Sequence, residues 1–134
     1  MTKPSILVVE ADVLVRHPLA EFLRECGYRV LEAADAEEAR AVLEDETLGV
    51  AAALVDIGMG SGVNFELVRW VRTHHPGTRL LLAGSIGTAT DEAGSLCAEQ
   101  PEVSKPYDHK AVHHRIRRLL AARGAQQSGK AEAE

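Results

Sequence analysis

Three short apolar runs, Ile6–Val9, Ala51–Val55 and Leu80–Ala83, are continuous rather than alternating. A strand with one face in water alternates apolar and polar residues, so an unbroken run marks a strand covered on both sides. With their flanks, the strand segments are Ser5–Val9, Arg29–Ala33, Val50–Val55 and Arg79–Ala83. A weaker fifth, Glu102–Ser104, stands just before Lys105-Pro106. Between these runs the apolar spacing becomes helical. Val15, Leu19, Phe22, Leu23 and Cys26 share one helix face, which Gly27 closes. Pro18 is expected in the first turns of that helix, where a missing N–H costs least. Asp35, followed three residues later by Glu38, reads as a capping box ahead of Ala39, Val42 and Leu43. Leu67, Val68 and Val71 supply a buried stripe within Asn64–His75. Asp108 caps a last helix with Val112, Ile116, Leu119 and Leu120 inward. Asp91–Glu99 is a short, Ala-rich helical candidate. Strand and helix thus alternate along the chain, the pattern of a parallel sheet with helices on both faces.

The chain has 134 residues, which at roughly 100–200 residues per domain is one domain. Its boundaries are predicted at 1–123, with Gly124–Glu134, which lacks apolar periodicity, as a disordered tail. A net charge of −5 argues against a general nucleic-acid or anionic-membrane binder. Phe22, Tyr28, Phe65, Trp70 and Tyr107 are too scattered for a base-stacking platform. No apolar run approaches a membrane span and no signal-peptide pattern opens the chain. Cys26 and Cys97 fit neither a disulfide nor a metal framework, so a cytoplasmic protein with reduced thiols is expected. His74-His75 and His113-His114 are each adjacent pairs, pointing about 100° apart on a helix; they read as solvated histidines rather than a chelate. Arg115, Arg117, Arg118 and Arg123 read as a solvated helix face, and the glycine-rich stretch Gly58–Gly62 as a loop without phosphate-loop spacing.

In an open parallel sheet, ligands sit outside the carboxyl ends of the strands. After Val9 come Glu10, Ala11 and Asp12; after Val55, Asp56; after Ala83, Gly84 and Ser85; after Ser104, Lys105. Carboxylates, a hydroxyl and an ammonium would converge on one edge. Mg²⁺ takes hard oxygen ligands, an Asp carboxylate can accept a phosphoryl group as nucleophile, and a lysine supplies a point charge to phosphate.

At these residues the chain resembles the receiver domain of two-component response regulators. The matching segments are ILVVEAD at the first strand, ALVDIGM at the third and SKPY at the fifth, and the resemblance runs from about Ile6 to Leu120. It implies a flavodoxin-like, doubly wound α/β fold with a five-stranded parallel sheet in the order 2-1-3-4-5. It also implies that Asp56 is the phospho-acceptor and that Lys105 is the phosphate and charge partner. Ser85, one residue past the family's hydroxyl position, reads either as a phosphate contact or as a plain loop serine. Mg²⁺ would be held by Glu10, Asp56 and the backbone carbonyl of Gly58. Asp12 is expected first as the N-cap of the first helix and only secondarily as a metal ligand. The chain departs from the family pattern at several places. Ala11 replaces the second of two adjacent acids, so Mg²⁺ binding is expected to be weak. Gly60 stands where proline is usual, Asn64 where glycine opens the third helix, and Gly84 where a hydroxyl residue follows the fourth strand.

The resulting expectation is a stand-alone, non-enzymatic signalling receiver. It would take a phosphoryl group from a histidine kinase or phosphotransfer protein and act by contact with a downstream protein target or as a homodimer, with no nucleic-acid or membrane partner. The alternative is a phosphorylation-independent receiver acting as a protein-binding module. A phosphatase using Asp56 would need an acid two residues on, where Gly58 stands.

Overall fold

A computed structural model describes residues 3–57, 62–84, 103–104 and 106–133. In chain order its elements are β1 (Ser5–Val9), α1 (Val13–Glu25), β2 (Arg29–Ala33), α2 (Ala36–Glu44) and β3 (Val50–Asp56). They are followed by α3 (Gly62–His74), β4 (Arg79–Gly84), β5 (Val103–Ser104) and α4 (His109–Ala133). The five strands form one sheet in the order β2-β1-β3-β4-β5, every neighbouring pair parallel. This is the expected order. The predicted helix Asp91–Glu99 and the loop at Gly58–Ser61 fall outside the described residues.

The continuous apolar runs are explained by burial on both faces. Leu7, Val9, Ala53, Val55 and Leu82 pack on one side with Ala36, Ala39 and Leu43 of α2 and Phe65, Leu67, Val68 and Val71 of α3. Ile6, Val8, Ala52, Leu54 and Leu81 pack on the other with Leu19, Ala20 and Leu23 of α1 and Val112 and Ile116 of α4. Successive strand residues thus serve opposite layers, as the two-residue period of a strand requires.

Local signals end the elements as the sequence predicts. Asp12 caps α1, its side chain accepting from the Leu14 N–H at 2.9 Å. Gly27, at a φ of 105°, lets the chain leave α1 in a conformation other residues resist. Asp35 accepts from the Glu38 N–H at 2.9 Å, while Glu38 reaches back to the Ala34 N–H at 2.6 Å. Asp108 accepts from Lys110 and Ala111 at the start of α4.

Two expectations need correction. Pro18 lies in the second turn of α1, inside the helix, where its missing N–H forgoes a helical hydrogen bond rather than costing least. His113 is not simply solvated: its ring meets Phe22 of α1 at 6.4 Å and, edge-on at 5.4 Å, Tyr28 of the turn that follows α1. Burial, and then the charges of Arg117 and His114, lowers its pKa.

Candidate functional site

The last registered pair of the central strands β1 and β3 is Val9↔Val55. Glu10 and Asp56 each stand one residue further on. By strand alternation both side chains leave the sheet on the side of Val8 and Leu54, the layer of α1 and α4. Both are buried, Glu10 to 3% and Asp56 to 8% exposure. An isolated strand-end acid would ordinarily sit in water, so two buried carboxylates side by side are a costly arrangement that structure alone does not require.

The main chain around Glu10 is tied on three sides. Its N–H donates to the Ala33 carbonyl at 3.0 Å, Arg16 Nη1 donates to its carbonyl at 2.7 Å, and its Oε2 accepts from the Asp12 N–H at 2.9 Å. Asp56 ends β3, paired with Ala83 of β4, and the next N–H, that of Ile57, donates to the Ala83 carbonyl at 2.7 Å. Asn64 Nδ2 donates to the Asp56 carbonyl at 2.5 Å. Arg16 also reaches Glu32 on β2, its Nε 3.0 Å from Oε1, and His17 and Arg24 approach the other oxygen at 3.1 and 3.3 Å. Burial pushes the Glu32 carboxyl up, but hydrogen bonds from His17 and Arg16 and the charges of His17 and Arg24 hold it below its usual range.

Tyr107 completes the described part of the site. It packs against the α1–α4 layer with its phenol toward Glu10 and Asp56. Burial, and then the two carboxylate charges, raises its pKa far above the ordinary tyrosine value, so it stays a neutral hydroxyl. A neutral phenol beside two acids can donate a hydrogen bond without adding charge.

Of the residues singled out from sequence, Glu10 and Asp56 are brought together. Asp12 is exposed and its carboxylate caps α1, the first of its two expected roles. Ala11 is exposed and offers no oxygen donor. Gly58, Ser85 and Lys105 lie outside the described residues. Sequence reading missed three contributors: Arg16, Asn64 and Tyr107. Tyr107 had a signal in its place two residues after Lys105, and Asn64 in standing eight residues after Asp56; Arg16 had none beyond lying on α1.

The donor chemistry fits a hard divalent cation, since the two buried groups are carboxylates. Among the described residues no three His, Cys, Asp or Glu side chains gather as a ligand set. Among them, too, no helix is long and apolar enough to cross a membrane.

Comparison with known proteins gives a consistent result. The family model for the response regulator receiver domain matches residues 6–117. The regulatory protein VirG of Rhizobium rhizogenes is 29% identical over 119 residues, covering 88% of this chain and 48% of that protein. The transcriptional regulatory protein AruR of Pseudomonas aeruginosa is 33% identical over 120 residues, covering 87% of this chain and 49% of that protein. The chain therefore spans about half the length of these curated relatives. Among solved structures, a CheY-like response regulator receiver domain protein from Methanospirillum hungatei JF-1 superposes with a TM-score of 0.80 at 23% identity. That match covers 93% of this chain and 99% of that one.

Proposed function

We infer, since the chain belongs to the response regulator receiver domain family of two-component systems, that it accepts a phosphoryl group on Asp56. The observation that carries this reading is the pair of buried acids, Glu10 and Asp56, at adjacent strand ends on one face of the sheet. Receiver domains are signalling modules that interact with histidine kinases or phosphotransfer proteins, and such a protein is the donor here. The Asp56 carboxylate attacks phosphorus; an O–P bond forms as the bond to the donor breaks, and the donor leaves with the electron pair.

Glu10, Asp56 and the Gly58 carbonyl would hold Mg²⁺, which when bound neutralises the charge gathered between the acids and the incoming phosphoryl group. Lys105 supplies the permanent positive charge and Ser85 a hydroxyl contact. Asp12, committed to its helix cap, stays a secondary ligand. Tyr107 keeps a neutral donor at the site. Beside the site, at the start of α1, Val13 is 52% and Leu14 82% exposed. Large apolar side chains so exposed next to reacting carboxylates suit the rim on which a donor protein seats. We assign residues 1–123 to the receiver unit, the cytoplasm as its compartment, and a protein target or a second copy of the chain as its output.

Ala11 supports a second reading, a receiver that binds its partner without phosphorylation, because it removes one carboxylate from the expected metal site. Intact-mass measurement after incubation with acetyl phosphate, with and without Mg²⁺, separates the two. A single phosphoryl adduct that requires Asp56, and is therefore missing in Asp56→Asn, supports the first. No adduct on the wild-type chain under either condition favours the second.

A further inference from the structure

Both acids of the site stand one residue past the last β1–β3 pair, where the ladder between those strands no longer holds the main chain. In each case a side chain of the following helix takes over. Arg16, six residues after Glu10, donates Nη1 to the Glu10 carbonyl at 2.7 Å, and Asn64, eight residues after Asp56, donates Nδ2 to the Asp56 carbonyl at 2.5 Å. We propose that Arg16 and Asn64 are positioning residues, two clamps that hold the main-chain carbonyls of the acids and so aim their carboxylates. The proposal rests on the reading of Asp56 as phospho-acceptor and adds to it the groups that set the geometry.

A carbonyl held in place fixes the peptide plane after the acid. That restrains the acid's ψ, and with it the direction in which its side chain leaves the backbone. The Arg16 clamp is stiff because its guanidinium is a planar fork. While Nη1 holds Glu10, Nε is engaged by Glu32 Oε1 at 3.0 Å, and the side chain is only 14% exposed. The end of β1 is thereby referenced to β2. The Asn64 clamp is neutral, so it adds no charge beside Asp56. Asn64 stands where the family resemblance expects a glycine, and glycine has no side-chain donor; the departure from the family pattern is what supplies the clamp. A group held out of line by as little as an ångström can slow a reaction about a hundredfold, so clamps of this kind belong to the reaction even though they touch no reacting atom.

The test uses the full chain and three variants: Asn64→Ala, Arg16→Met and Arg16→Lys. Three quantities are read: the ¹³C resonances of the Glu10 and Asp56 carbonyls, Mg²⁺ affinity by calorimetry with the metal alone, and the rate of adduct formation from acetyl phosphate. Asn64→Ala should move the Asp56 carbonyl resonance and leave that of Glu10; Arg16→Met should do the reverse. Each should slow adduct formation about tenfold to a hundredfold. Arg16→Lys, which keeps the charge but has one nitrogen in place of the two that Arg16 uses, should fall between and is read alone if Arg16→Met does not fold. Unmoved carbonyl resonances, or resonances that move while adduct rate and Mg²⁺ affinity stay at wild-type values, would overturn the proposal. If the wild-type chain forms no adduct, the phospho-acceptor reading fails separately. The clamps are then decided by the carbonyl resonances and Mg²⁺ affinity together: they stand if both change and fall if either does not.

Discussion

Ala11 is the residue whose chemistry most changes what the site can bind. With Glu10 and Asp56 buried and Ala11 exposed, the site has two carboxylates where the family pattern has three. Restoring the third adds one unit of attraction for a divalent cation and one of repulsion among the acids. Ala11→Asp should therefore tighten Mg²⁺ binding about tenfold to a hundredfold, or ~1–3 kcal/mol, and speed adduct formation; calorimetry reads the first and intact mass the second. If affinity does not change, comparison with Asp12→Asn tells whether Asp12 already fills that place. Tyr107 makes a prediction of opposite character. Its pKa is raised in the folded protein, so above the ordinary value near 10.0 the unfolded chain has released a proton that the folded chain keeps. Its contribution is fully present below that pH and is lost as pH rises beyond it toward the folded-state pKa. Urea midpoints of wild type should thus fall more steeply between about pH 9 and 11 than those of Tyr107→Phe. Equal slopes would mean that neither burial nor the two acids shift the phenol. The comparison removes Tyr28, whose pKa burial also raises, because it is common to both proteins.

At the scale of elements, caps and apolar stripes decide where each helix begins and which side it buries. In α2 the stripe is short, with Ala36, Ala39 and Leu43 buried, so its capping box matters. Asp35→Ala leaves the Glu38 N–H without its side-chain acceptor and should cost about 1 kcal/mol. A fall in urea midpoint without change in adduct formation is expected, since the Asp35 carboxylate is engaged by α2 itself; an altered adduct rate would place α2 in the mechanism. These signals were legible because they are local. A capping side chain and the N–H it serves are three residues apart, and an apolar stripe repeats within a single helix. The contacts of His113 with Phe22 and Tyr28 were not legible for the opposite reason. They join α4 to α1 and to the turn after it, and nothing in any of these segments specifies which element lies across from it.

The whole molecule is a two-sided layer structure in which β3 is central and Leu54 is 1% exposed. Leu54→Ala should cost about 2–5 kcal/mol, a large part of the roughly 5–15 kcal/mol by which a domain is stable. A lowered urea midpoint with unchanged slope checks this; a loss below 1 kcal/mol would mean that the α1–α4 layer closes over the gap. The runs of apolar residues determined by themselves that the strands are covered on both faces. Their alternation with helical patterns determined a parallel sheet, and the residues after each run determined that acids gather at one edge. Those properties are written in contiguous stretches of chain. Only the tertiary structure decided that Glu10 and Asp56 leave the sheet on the same side beside Tyr107. It alone decided, too, that Arg16 and Asn64 hold the carbonyls of the two acids. Parity along one strand is local, but parity between strands depends on register. A hydrogen bond from a helix back to a strand end depends on the angle at which the two are packed, and that angle is set by the filled core rather than by either segment.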